Sequence, residues 1–487
     1  MGSLSDVNMK VLLILSLSLC SIINAASQNY HAIHGSSYAG SLGVMNNPAS
    51  ILNTRSSWDV NLLSFQVASS TNAVTVLNYS LISSPAGSQY RINNGNFERY
   101  ANLNYNFHLL NARIALNRKN AIAFGINLRS YINVSSSRYN FLDSIKTLRN
   151  FLQANLNNGN LSAKLQTTNW LEVFGTYSRT LLDEEQGRLN AGITLKATRG
   201  IAGGFAALTG TTFSRSIQNN KPFYTVNAGD MKYGYSATID KWIKGNASSQ
   251  NIRDLLVSSE GGGSVDLGVE YVIKPQGVTN FYDDDSYYDY EWKIGISLLD
   301  IGATKYKYSI QSRIAAAPKA NLSDTTLQRR FNRINSIQAF NDSLAAVFTG
   351  IRPLAGFFTI VNPARLVVNV DRYLFDDFYV NGEVSANLSP LVGTDKMYSE
   401  EISLLTVTPR WETKRYGLYL PIQLNTEKQC WIGGAFKAGP LLFGLHNLAY
   451  IFSKKKMQSG GGYLALVLRP GAHTKAHRDK KFDCPRY

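Results

Sequence analysis

From residue 58 onward the chain repeats one signal: apolar and polar side chains alternate with a period of two. In residues 101–109, Ala101, Leu103, Tyr105, Phe107 and Leu109 share one face, and Asn102, Asn104, Asn106 and His108 share the other. The pattern recurs in Ile122, Phe124, Ile126 and Leu128 against Ala123, Gly125, Asn127 and Arg129. It recurs again in Leu189 to Ala197, Val265 to Ile273 and residues 463–469. Residues i and i+2 lie on one side of a strand, so each run is a strand with one oily and one wet face. A soluble antiparallel sandwich alternates too, but these runs exceed the roughly 5 to 6 residues of a typical soluble strand and suit the roughly 9 to 11 of a tilted membrane strand. Their wet faces carry Asn, Gly, Thr and charge, as a lumen does. Many of the 27 Tyr and 22 Phe sit near run ends, where aromatic girdles belong.

The expected fold class is therefore all-β, a transmembrane antiparallel β-barrel of about 14 to 18 strands, about 16 at the centre of that range. Connections alternate between short, as at 374–377, 413–416 and 439–441, and long. A periplasmic C-terminus puts the short ones on the periplasmic side and places 307–363, 388–400 and 453–461 outside. Helical spacing in 141–156 and 326–348 predicts helices in the external loops. Residues 99–117 read as one strand or two.

Lys10, the apolar run 11–23 and the small residues Ala25 to Ser27 form a secretory signal peptide over 1–27. Export to the outer membrane of a Gram-negative cell follows. It removes nucleic acid as the partner implied by the net charge of +16 and leaves outer-membrane lipid and lipopolysaccharide. Lys454, Lys455 and Lys456 fall outside, where they either pair with lipopolysaccharide phosphates or cap a solvated loop. The barrel is expected over 58–470, followed by a basic periplasmic tail, 471–487. Cys430 and Cys484 fall on opposite sides and form no disulfide framework.

Chemistry-bearing motifs are sparse. The chain has no GxSxG elbow, Walker loop, HExxH or paired CxxC, so it reads as non-enzymatic, with no cofactor and no metal. The pairs His31/His34 and His473/His477 read as solvated surface histidines, and His108 as a lumen hydrogen-bonder. The acidic run 283–291 lacks the spacing of a calcium loop and reads as a solvated turn. An outer-membrane hydrolase and a purely structural envelope protein remain the alternatives.

Residues 28–57 precede the first strand. A barrel of this size has a lumen that wall side chains alone do not fill. The stretch YAGSLGVMNNPAS (38–50) is rich in small residues that allow close backbone approach, and Asn47 before Pro48 favours a turn, as a luminal plug requires. This segment resembles the N-terminal hatch of FadL-type outer-membrane proteins, whose AsnProAla motif corresponds to Asn47, Pro48 and Ala49. Segments 261–271, 292–306, 367–384, 407–422 and 433–448 resemble more closely an uncharacterised group of Bacteroidetes-type outer-membrane barrels related to the PorV and PorQ secretion-system proteins. The first resemblance implies transport of a hydrophobic ligand through a shifting hatch, an external apolar groove and a lateral opening. The second implies an accessory subunit that binds envelope or secretion-complex proteins. Transport calls for an apolar pocket beside the hatch; a scaffold calls for a filled lumen and a sticky loop surface.

Overall fold

The computed structural model describes residues 31–470 except 79, 81–87, 219, 242–247, 276–285, 333, 394–395 and 453–455. The signal peptide, the basic tail with Cys484, His473 and His477, and Lys454 and Lys455 all lie outside the described residues.

Among the described residues, 14 antiparallel strands close into a barrel. They are β1 (Trp58–Thr71), β2 (Gly95–Asn117), β3 (Asn120–Phe141), β4 (Leu161–Asp183), β5 (Gly187–Gln218), β6 (Glu260–Ile273) and β7 (Trp292–Lys307), then β8 (Arg365–Phe375), β9 (Phe378–Asn387), β10 (Leu404–Glu412), β11, β12, β13 (Leu441–Leu445) and β14 (Ser459–Leu468). The last strand pairs with the first, Val60 opposite Leu468 and Ser70 opposite Ser459, which closes the wall.

The count sits at the lower end of the expected range because backbone breaks do not make new strands. β11 is written in two pieces, Tyr416–Tyr419 and Ile422–Asn425, around Pro421. Both pair with β10 in a single register. Proline lacks the N–H that would continue the ladder. β12 is likewise Cys430–Ile432 plus Gly434–Ala438, in one register against β11. Residues 99–117, ambiguous in sequence, belong to one strand.

The outward faces form an apolar belt. Leu165, Val173, Leu195, Leu267, Ile296, Leu418 and Leu466 are all exposed on it. So much exposed apolar surface is a liability in water but the required surface in lipid. No helix among the described residues is long and apolar enough to cross a membrane, so the crossing is made by strands. Inward residues are polar and buried, including Asn127, Arg129, Thr194, Lys196, Asp266 and Glu270. Bulges reset the period where the wall bends: Leu109 and Leu110 both point outward, after which Asn111 and Arg113 return inward.

The wall is much taller on one side. β5 runs 32 residues, and its outer half pairs with Lys221–Tyr235. The extension continues through Arg313–Pro318 and Phe348–Pro353 and carries α3 (Asp324–Phe331) and α4 (Ile337–Val347), where sequence spacing puts helix. The other expected helix is shorter than 141–156. Phe141 ends β3 opposite Gly95, and Thr147 caps the helix α1 (Leu148–Ala154) by accepting from the Asn150 N–H at 3.2 Å. A further helix, α2 (Ser248–Val257), carries no signal singled out in the sequence.

Most short connections cluster at one end, as expected, but that end also holds a long one, and the short link 426–429 between β11 and β12 lies at the other end. Residues 274–291 join β6 to β7 on the turn side; 283–285 of the acidic run lie outside the described residues, and the rest is not simply a solvated turn. Tyr290 is buried and donates to Asp371, and Asp289 pairs with Arg55 at 2.6 Å.

Candidate functional site: the plug and its seat

The plug is a chain of three short 3-10 turns, His31–Ile33, Gly40–Met45 and Pro48–Leu52. Almost every described side chain from Ala32 to Thr54 is buried in the lumen. Asn47 is extended and caps the third turn, its Oδ1 accepting from the Ala49 N–H at 2.9 Å, and Pro48 occupies the first turn position.

This motif rests on a cradle that only glycine can make. A Cβ on Gly268 would lie 2.1 Å from Asn47 Oδ1 and 2.8 Å from Pro48 Cδ. One on Gly192 would lie 2.7 Å from Ala49 N, and one on Gly295 would lie 2.8 Å from Asn47 Nδ2. The three glycines lie on the adjacent strands β5, β6 and β7, with Gly192 opposite Gly268. Asn47 Nδ2 donates to Val269 O at 3.1 Å, Ser178 Oγ donates to Pro48 O at 2.7 Å, and Ser297 Oγ donates to Asn46 O at 2.6 Å.

Longer side chains tie the rest of the plug to the wall. His34 Nδ1 hydrogen-bonds Glu383 at 3.0 Å, and Asn46 Nδ2 donates to the same carboxylate at 2.9 Å. His34 is therefore not a surface histidine: it is 4% exposed, because burial of the plug turns it toward β9. Arg113 Nε donates to Ile51 O at 2.6 Å, and Asn53 links Arg188 to Glu270. Ser36 Oγ donates to Glu412 at 2.6 Å.

Beside the plug, an ionic cluster spans the lumen. Arg129 grips Asp300 with two nitrogens at 2.6 and 2.9 Å, and Lys196 bridges Asp300 at 2.6 Å and Asp266 at 2.7 Å. Tyr131 donates to Glu401 at 2.5 Å. Arg365 pairs with Glu401 and donates to the plug carbonyl of Met45 at 3.0 Å. Asn127 and Trp170 donate to Glu172 at 2.9 and 3.0 Å. Three cations meet four carboxylates with little water access, an arrangement that holds only while each charge keeps its partners. Asp300 reaches the cluster from a bulge in β7 at φ +57°, a conformation that Asp tolerates better than most residues. His108 is buried on the inner face, as its place on the wet side of β2 implies.

Sequence reading missed the glycine cradle and the cluster. The one local signal was the break in alternation at Leu298, Leu299 and Asp300. Lys456 is exposed, and Cys430 is exposed at the start of β12, opposite the turn side.

The apolar cavity lies not beside the plug but on the outer wall. It measures about 450 Å³. Ala101, Val134 and Ala163 line it, continuing the outward rows of Leu103, Ile132 and Leu165, and Phe151 of α1 covers it. It thus sits at the outer edge of the lipid-facing belt. Arg99 lines it with its guanidinium over the rings of Phe97 at 4.1 Å and Tyr139 at 4.6 Å, donating to Asn93 O and Gly95 O. Around the barrel each strand is hydrogen-bonded to both neighbours among the described residues.

Residues 48–446 match a family of unknown function, DUF5723. No curated protein matches the chain. Solved structures similar to it include the toluene transporter TbuX of Ralstonia pickettii, at 11% identity and TM-score 0.38 over 88% of this chain and 94% of that one. A FadL homologue of Pseudomonas aeruginosa aligns at 8% identity and TM-score 0.40, over 91% and 98%. The toluene transporter TodX of Pseudomonas putida aligns at 9% and 0.35, over 91% and 95%.

Proposed function

The chain belongs to the family of unknown function DUF5723, and from the geometry of its barrel we propose that it carries a hydrophobic small molecule across the outer membrane, loading it at the outer cavity and gating it with the plug. The carrying observation is the apolar cavity at the upper edge of the lipid-facing belt. A solute that partitions into the outer leaflet reaches it laterally without entering water. Its lining is predominantly apolar with one cation held among aromatic rings, the composition of a small-molecule site. The lumen below is occupied by the plug, so passage requires the Asn47–Ala49 turn to leave its glycine cradle. The reading contains no catalytic step and no cofactor.

The test is uptake of the hydrophobic fluorophore N-phenyl-1-naphthylamine by cells carrying the chain. Asn47→Ala combined with Pro48→Ala should change uptake while the barrel keeps its heat-modifiable migration on gels. Unchanged uptake in a folded variant would sink the gating role.

A second reading, an accessory subunit of a secretion or envelope complex, is favoured by the apolar side chains exposed on the external extension and loops, Ile217, Val257, Ile310 and Leu391 among them. Lipopolysaccharide phosphates would then be lateral contacts for the lysines at 454–456. Native mass spectrometry of the protein extracted from its own membrane separates the two: transport requires a bound hydrophobic molecule, and a scaffold requires a stoichiometric protein partner.

A further inference from the structure

The turn-side mouth of the barrel contains a second cavity, of about 780 Å³. Its basic lining comes from four separate places: Arg55 at the end of the plug, Arg118 in the β2–β3 turn, Lys414 and Arg415 in the β10–β11 turn, and Arg469 just after β14. No lining residue among those described is acidic. Several like charges around one concave, low-dielectric wall repel one another and focus a positive potential into the space between them.

Two of these groups also keep one buried donor without an acceptor. Arg55 pairs through Nη2 with Asp289 at the edge of the site, and Arg469 donates through Nη2 to Tyr38 O at 2.7 Å. The Nε atoms of both are buried without a hydrogen-bond partner. A buried guanidinium donor left unpaired costs free energy that an incoming acceptor would recover.

We infer that this vestibule docks an extended acidic segment of a periplasmic protein. The short-turn end of an outer-membrane barrel faces the periplasm, so the ligand comes from that compartment. The cations are spread around the rim rather than converging on one point. The volume of about 780 Å³ is far more than a single phosphate needs. The cations come from the plug end and the turns rather than from the outward rows of the belt, although Leu468 of that belt lines one edge, and this placement favours a peptide over a lipid headgroup. Its roof is plug residues, Tyr38 and Arg55, so a docked partner would touch the segment that closes the lumen. The inference does not depend on what the barrel carries.

The experiment is calorimetric titration of the detergent-solubilised full chain with a capped deca-glutamate peptide. Saturable binding is expected, weakened in about 0.5 M salt, where the Debye length shrinks to a few ångströms. Lys414→Glu combined with Arg415→Glu should lower affinity by at least about tenfold. Arg215→Glu, a charge reversal on the external extension, should leave it unchanged. Heat-modifiable migration verifies that each variant is folded. Arg469→Gln, which removes the charge but keeps an N–H donor, supplies an independent loss without reversing charge. Equal binding by the wild type and the double variant would overturn the inference. So would full displacement of the peptide by inorganic diphosphate, which would make this a small-anion site, or preferential binding of phosphatidylglycerol in nanodiscs.

Discussion

At the scale of single residues, the plug is seated by what the wall lacks. Gly268→Val would push a side chain into Asn47 and Pro48, and overpacking of this kind typically costs about 1 to 3 kcal/mol. The expected result is a barrel that still inserts, with a lower gel-shift temperature and a plug newly open to protease; protection equal to wild type would contradict the cradle. Asp300 carries a different burden, since it neutralises Arg129 and Lys196 together. Asp300→Ala leaves both cations short of a partner and should cost about 3 to 5 kcal/mol, read from the thermal transition. His34 shows the limit of local reading. Its sequence neighbours suggest a surface, and only the path of the plug brings it to Glu383.

At the scale of elements, the outer cavity depends on α1 staying over the wall. Phe151 packs on Tyr139 at 5.7 Å between ring centroids, and Arg149 ties α1 to α3 through Asp324 at 2.6 Å. Phe151→Ala should weaken binding of N-phenyl-1-naphthylamine by about tenfold, or about 1.4 kcal/mol, with the barrel otherwise unchanged. Arg149→Ala breaks an ion pair whose arginine is partly exposed but whose Asp324 carboxylate is buried, and leaving that acceptor without its partner should cost about 1 to 3 kcal/mol. A large loss of stability in that variant would mean that the external helices support the barrel. Strand faces were legible in the sequence because alternation is enforced by each strand's own backbone. Bulges were not, since Leu109 with Leu110 and Leu299 with Asp300 break the period at points set by neighbouring strands.

At the scale of the whole molecule, the plug and the ionic cluster fill the lumen, and conduction requires rearrangement. The intact chain in a planar bilayer should show no sustained open-pore current, whereas deletion of residues 31–53 should produce discrete conductance steps. Steady current from the intact chain would place an open path beside the plug. The sequence by itself determined the fold class, the crossing by strands, the inward and outward faces and the turn at Asn47 and Pro48. These follow from a two-residue repeat and a local turn, both properties of short stretches of backbone. The tertiary structure alone decided the strand count, the seat of the plug, the partners of each buried charge and the two cavities. Gly192, Gly268 and Gly295 become one surface, and Arg129, Asp300 and Arg365 one cluster, only once strand register and barrel closure bring distant segments together. Register is a relation between strands, so no single stretch of sequence carries it.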